Sequence, residues 1–234
     1  MRSVLGLLLC VSAASAQAAM AFAAADQTTI VNTMNSLRSR MAKGTEKWVG
    51  KGKNYPQSIR TYQLSWAAGL ATASVARLNL LDPSQPLSAQ SDVLKASDVP
   101  FHQGETHYGI YSTSSNAKTA AQMFGTAWNT AWYNFIKKSG LPGPGLVYNS
   151  TGAHPDKNKN FAYQIAAGQT RTIGCAYRNF TTGAAAGTFA VLCRHNARGL
   201  FDGNPIYPEG VTCSGCAKGN PPATVCVTAT GLCA

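Results

Sequence analysis

Apolar positions along the chain fall into a few runs with readable periods. From Asp26 onward Ile30, Met34, Leu37 and Met41 recur every three or four residues, which predicts a helix closed by Gly44 as a C-cap. A Gly/Lys-rich stretch from Val49 to Pro56 reads as a loop. Tyr62 to Leu81 reads as a second helix, with Leu64, Ala67, Ala68, Ala71, Val75 and Leu78 on one face and a Pro/Ser-rich stop at Asp82–Pro86. Residues 88–117 keep no steady period. Lys118 to Lys138 carries the clearest amphipathic pattern, through Ala121, Phe124, Trp128, Trp132 and Phe135. Pro142-Gly143-Pro144-Gly145 breaks it, and a polar loop runs from His154 to Asn160. Two strand-like runs follow, Ala162–Tyr177 and Gly187–Cys193, around a Gly/Ala/Thr-rich turn at 181–187. Beyond Arg198 the chain turns Gly/Pro-rich and holds four cysteines between Cys213 and Cys233. No internal repeat is present. Helices on a sheet in one layered unit, with a disulfide-bonded tail, is the predicted order.

Composition narrows the class. The chain has 234 residues, 45% hydrophobic and 12% charged, which excludes a charged disordered chain and leaves ample core. Past the first residues no apolar run approaches the ~20 needed to span a membrane. At the start, Arg2 precedes the apolar run Val4–Val11, and Ala14-Ser15-Ala16 and Ala16-Gln17-Ala18 offer small-residue cleavage sites. Residues 1–18 are therefore expected to be a signal peptide, cut near 16–18, and the mature chain to be extracellular. Its loss removes Arg2 and Cys10, taking the formal charge from +11 to +10 and seven cysteines to six. Six cysteines in an oxidising compartment predict three disulfides among Cys175, Cys193, Cys213, Cys216, Cys226 and Cys233. A zinc ribbon on the last four fails, because Cys226-x6-Cys233 has the wrong spacing. Asn149-Ser150-Thr151 and Asn179-Phe180-Thr181 are glycan acceptor sequons, at Asn149 and Asn179.

VLCRHNARGLFDGNPIY (191–207) and QTRTIGCAY (169–177) resemble the second signature, and the strand before it, of the CAP superfamily of cysteine-rich secretory, antigen 5 and pathogenesis-related proteins. Gly104-Glu105 stands where the family has Gly-Glu-Asn, and Met34–Gly44 resembles its first helix. The tail, with Cys213-Ser214-Gly215-Cys216 and Gly231-Leu232-Cys233, resembles the Ancylostoma-secreted or venom-allergen-like nematode members. The resemblance implies an α/β fold: a three-layer α-β-α sandwich with a central antiparallel sheet over residues 26–200. A hinge and small Cys-rich tail would occupy 201–234.

It also implies a cleft with two His and two Glu, which in this chain is mostly missing. Glu105 matches the first Glu and reads as vestigial. The second falls near Ala127, with Phe124 as the preceding aromatic. The motif Gly-His-Tyr-Thr-Gln aligns with Asn160-Phe161-Ala162-Tyr163-Gln164, which puts Phe161 at the second His. His102 is the only candidate for the first and stands too close to Glu105; His102 and His107 are weak candidates for a small metal site. His154 reads as a loop residue and His195 as a satisfied strand-end residue. One ligand in four is too few for zinc or for paired acid–base work, so no catalytic residue, cofactor or metal is expected. Cys175 and Cys193 hold similar places on two strand-like runs and make a reasonable pair; the tail's connectivity stays open.

The aromatic stripe reads first as core. Phe124, Trp128, Trp132, Tyr148 and Phe161 are the candidates for an apolar ligand, a sterol or fatty acid, beneath a loop spanning Gly145 to Asn160. Arg38, Arg40, Lys43, Lys47, Lys51, Lys53 and Arg60 form the densest basic group, with Trp48 and Tyr55 between them. Nucleic acid is not expected outside the cell; an anionic glycan or membrane surface is the sharper partner. The expected protein is a non-catalytic secreted effector at a host–parasite interface, meeting host extracellular proteins or cell surfaces as a monomer or weak dimer. The alternatives are an antagonist of a host leukocyte or platelet receptor, although no Arg-Gly-Asp or Lys-Gly-Asp occurs, and a metal-dependent hydrolase centred on Glu105.

Overall fold

The computed structural model describes residues 17–90, 104–110, 118–141, 146–149, 158–219, 222–223 and 225–234; side chains of 104–110 and 158–161 are not described. His102 and His154 lie outside the described residues. Five helices and nine short strands are found among those described: β1 (Met20–Ala21), α1 (Ala24–Ala42), β2 (Lys47–Trp48), β3 (Lys53–Asn54), β4 (Ser65–Trp66), α2 (Ala68–Asn79), β5 (Gly104–Ile110), α3 (Ala120–Ala127), α4 (Tyr133–Ser139), α5 (Asn158–Ala166), β6 (Thr172–Phe180), β7 (Thr188–His195), β8 (Cys226–Val227) and β9 (Leu232–Cys233).

The sheet runs β1-β6-β7-β5, antiparallel throughout, with β4 added in parallel to the start of β6. Its two faces are buried under different helices. Ala176, Phe180, Ala190 and Leu192 pack with Leu78 and Leu81 of α2 and its C-terminal extension. Ile173, Cys175, Phe189, Val191 and Cys193 face α1, α3, α4 and α5, in a larger cluster that includes Leu37, Phe124, Trp132 and Tyr163. This is a three-layer α-β-α sandwich. Gly174 explains how close the α2 layer sits: a Cβ there would collide with the backbone of Leu70 and Ala71. Because both faces are covered, β6 and β7 are buried almost without interruption and show no polar-out alternation.

The helix predicted over 118–138 exists and has an irregular middle. Thr119 and Gln122 form a reciprocal capping box at its start. Between α3 and α4, Trp128–Trp132 makes one wide π-type turn in which the Tyr133 N–H reaches back five residues to the Trp128 carbonyl. Phe124, Trp128, Trp132 and Ile136 are spaced by four, a series that would drift around a regular 3.6-residue helix. The wide turn offsets that drift, and all four stay buried.

Two predicted elements come out differently. The second helix begins at Ala68, not Tyr62: the Asn35 side chain donates to the Leu64 carbonyl (2.9 Å) and accepts from its N–H (2.8 Å), holding that residue extended for β4. The strand-like run Ala162–Tyr177 is two elements. Its first part is the end of α5, whose Ala162, Tyr163, Ile165 and Ala166 are all buried, and the chain turns at Ala167–Thr170 before β6. Residues 104–110, within the stretch that kept no period, form an edge strand, and the loop around Val49–Pro56 contains the β2–β3 hairpin.

The tail beyond residue 200 is knitted to the rest. Disulfides join Cys213 to Cys226 and Cys216 to Cys233. Cys233 exchanges backbone hydrogen bonds with Thr61 and Gln63, both at 2.9 Å, and Ser39 and Thr212 bond across the end of α1. The third disulfide, Cys175–Cys193, is a cross-strand rung with a Cα–Cα distance of 4.0 Å. Asn196 N donates to Thr172 O, which makes 172/196 a hydrogen-bonded pair and, counting by twos, puts 175/193 at a non-hydrogen-bonded pair, where Cα atoms approach most closely.

Candidate functional site

The site the resemblance implies can be rebuilt from its elements. Ala127 is the last residue of α3 and is fully buried, so a methyl group occupies the place of the second carboxylate. Phe161 belongs to α5, in the same layer, at the place of the second imidazole. Glu105 and His107 lie on β5, where the register sets them level with Arg194 and Leu192. Those rows continue to Gly174 and Ala176, which meet the α2 layer. A zinc ion has no fitting donor set here, because two of the four donors are replaced by hydrocarbon. Among the described residues no group of three or more His, Cys, Asp or Glu is placed to hold a metal.

The carboxylate nearest the aromatic layer is already engaged. Glu46 is buried; its Oε2 accepts from Arg40 Nε at 2.5 Å and its Oε1 from the Tyr133 hydroxyl at 3.2 Å. Tyr133 stacks on Trp128 with ring centroids 5.8 Å apart and planes 4° off parallel. Burial first, and Glu46 second, raise the Tyr133 pKa. This chain of contacts braces the wide turn, and it leaves Glu46 no free oxygen for acid–base work.

The aromatic ligand candidates Phe124, Trp128, Trp132 and Tyr148 all belong to the main core cluster, each no more than 7% exposed. Phe124 lies 6.1 Å from both Trp128 and Trp132 and meets Phe22 edge-on. Two clefts are found elsewhere. One, about 200 Å³, lies between Arg60, Gln169, Phe201 and Asn204. The other, about 390 Å³, runs along Tyr62–Ser65 beside Arg171 and the tail's Cys233. Both line the seam between the sandwich and the residues after 198, not the aromatic stripe.

Charged groups expected at the surface are redistributed. Arg38 does not belong to a basic face: it is fully buried in α1. It donates six hydrogen bonds of 2.7–3.2 Å to the carbonyls of Tyr62, Ile165, Ala167, Gly168 and Thr170. Desolvation lowers its pKa to about 9, so it remains a cation at neutral pH. Arg178 reaches from β6 to the end of α2, donating to the Leu78 and Leu81 carbonyls at 3.0 and 2.6 Å, as a cation at a helix C-terminus should. His195, fully buried at the end of β7, has its pKa lowered to about 3 by desolvation and by the Arg38 charge. Nothing in the sequence separates these arginines from the solvated ones. Lys47, Lys51 and Lys53, by contrast, are exposed on the hairpin. Of the sequons, Asn149 is exposed, whereas Asn179 sits within β6 and is 8% exposed.

No protein-family model and no curated protein sequence matches the chain. Solved structures do. NaASP2 with Zn2+ aligns at a TM-score of 0.66 and 20% identity, over 92% of this chain and 97% of that one. BmVAL-1 aligns at 0.68 and 21%, over 91% and 95%. The hookworm platelet inhibitor aligns at 0.56 and 14%, over 92% of each chain. The chain thus has the CAP fold of venom-allergen-like proteins, with a disulfide-bonded tail; at these identities the likeness concerns fold.

Proposed function

We propose that the chain is a secreted CAP protein that works at a host–parasite interface by binding, not by catalysis. The observation that carries this reading is the pair Ala127 and Phe161, apolar residues standing where the family cleft would hold a carboxylate and an imidazole. An acid–base pair needs two positioned proton carriers, and Glu105 alone supplies one. Three disulfides and an N-terminal signal-like segment support export. The fold shared with the hookworm platelet inhibitor favours one refinement, antagonism of a host leukocyte or platelet receptor through a surface other than an Arg-Gly-Asp loop. Carriage of a sterol or fatty acid would require Phe124, Trp128 and Trp132 to part, because they pack against one another in the closed molecule.

Native mass spectrometry of the protein secreted from eukaryotic cells tests these points together. The expected spectrum shows cleaved protein, glycan mass confined to Asn149, and less than stoichiometric zinc. A hydrolytic activity abolished by Glu105→Ala, or one tightly held zinc per chain, overturns the non-catalytic reading. Co-purifying lipid establishes the cargo, and its absence together with no saturable sterol binding removes it. Failure to bind leukocytes or platelets removes receptor antagonism.

A further inference from the structure

The β2–β3 hairpin and the end of α4 are far apart in sequence and locked together in space. The Tyr55 hydroxyl donates to the Ile136 carbonyl at 2.7 Å. Trp48 stacks on Tyr55, centroids 5.3 Å apart and planes 10° off parallel, and covers Gly140, where any Cβ would strike the indole. Gly140 also has φ +77°, so it both ends α4 and makes room for Trp48. On the other side of the turn, a Cβ on Gly50 would come within 2.8 Å of the Lys138 carbonyl. The buried side of this joint is aromatic. The exposed rim of the joint carries Lys51, with its Nζ 5.9 Å from the Trp48 ring centroid, Lys53, which pairs with Trp48 and so shares its face of the hairpin, and Lys137 and Lys138 from the helix end; Lys47 pairs with Asn54 on the opposite face.

The two segments that build the joint carry no exposed acid. The sequence has no Asp or Glu from 47 to 81 or from 106 to 155, and the nearby Glu46 is buried and spent on Arg40 and Tyr133. The hairpin is held rigidly, so little ordering cost attends docking.

We propose that this joint is a binding surface for a sulfated polysaccharide of the extracellular matrix or cell surface, whose closely spaced sulfates match a rigidly held group of four lysines, Lys51, Lys53, Lys137 and Lys138. The alternative anionic partner, a membrane, is disfavoured by what the surface lacks. Val49 is its one exposed apolar side chain, 55% accessible, between glycines, lysines and Asn54, whereas membrane-seeking surfaces bury a broad apolar face. Lysine also suits a point-charge contact with sulfate without the flat stacking that arginine brings. This rests on the secreted reading above, since such glycans lie outside the cell.

Heparin binding by the purified full-length protein, disulfides intact, tests it. The variants are Lys51→Gln/Lys53→Gln, Lys137→Gln/Lys138→Gln and, elsewhere on the molecule, Lys118→Gln/Lys218→Gln. Each joint pair is expected to weaken binding roughly tenfold at about 0.15 M salt, and the distant pair by less than about twofold. Desulfated heparin should not bind. Equal losses from all three pairs would reduce the effect to net charge and overturn the site. So would no heparin binding at that salt, or patch-dependent binding to phosphatidylserine vesicles tighter than to heparin. Retention of the protein inside the cell with heparin binding intact defeats the secretion reading alone; secretion without heparin binding defeats the patch alone.

Discussion

Replacing Arg38 by Met keeps the length of the side chain and removes every donor. The carbonyls of Tyr62, Ile165 and Thr170 then lose the guanidinium in a dry site, whereas Gly168 O still accepts from the Tyr62 N–H and Ala167 O from the Thr170 N–H. A buried carbonyl stripped of its donor costs about 1–3 kcal/mol and one that keeps another donor about 1 kcal/mol, so the five together cost on the order of 8 kcal/mol. Against this, the substitution removes a cation buried without a counter-charge. The drop in its pKa from 12.5 to about 9 values that relief at roughly 5 kcal/mol. The net expectation is a loss of about 3 kcal/mol, a large share of the stability of a typical domain. Arg38→Lys keeps the charge and three of the donors, and should lose roughly half as much. Guanidinium unfolding followed by circular dichroism, disulfides intact, measures both at a common slope. If Arg38→Met secretes poorly, the lysine variant still grades the effect. A methionine variant within about 1 kcal/mol of the parent would refute the argument, because the cage would then carry no net energy.

Three further outcomes follow from the structure. His195 is held neutral, with a pKa near 3 against 6.5 for the free side chain, so below pH 6.5 the unfolded chain takes up a proton that the folded one refuses. Stability should fall on this account by about 1.4 kcal/mol per pH unit between those values, and His195→Gln should flatten that acid limb; an unchanged slope in the variant rules it out. Removing the cross-strand rung with Cys175→Ala/Cys193→Ala, residues 18 apart in sequence, should lower stability by about 3 kcal/mol, read as a shift in the unfolding midpoint; no shift would contradict it. The secreted chain should begin at Gln17, whose carbonyl accepts from Arg178 Nε at 2.9 Å, and N-terminal sequencing that starts at Ala19 would show that this contact is dispensable.

How far the sequence predicted the molecule depended on which forces leave a local trace. Ile30, Met34, Leu37 and Met41 mark α1 because one face of that helix is buried and the other is wet. The same holds for the run through Phe124, Trp128 and Trp132. Leu64 misled because its apolar side chain fits a helical period, while its conformation is set by Asn35, twenty-nine residues away. Ala162–Ala167 misled because a helix buried on every side has no period to show. At the site, the apolar identities of Ala127 and Phe161 were readable directly from motif alignment. The pairing of Glu105 with Arg194 was not, since β5 register leaves no local trace. Arg38 was unreadable for a simpler reason: a charged residue looks solvated until five carbonyls are seen around it.

The wide turn at Trp128–Trp132 also bears on comparison between relatives. A π-type turn is an α-helix with one residue too many, absorbed locally so that the segments on either side keep their facing. Positions after Trp132 therefore stand one place out of step with a relative whose helix is regular, although they occupy equivalent space. Ala127 and Phe124 precede the turn, so their assignment escapes the slip, whereas Lys137 and Lys138 follow it. An ungapped alignment through this helix would pair those lysines with the wrong neighbours. Deleting the exposed Thr130 should be tolerated better than deleting a residue within α3, because the helix has slack at that point and none before it.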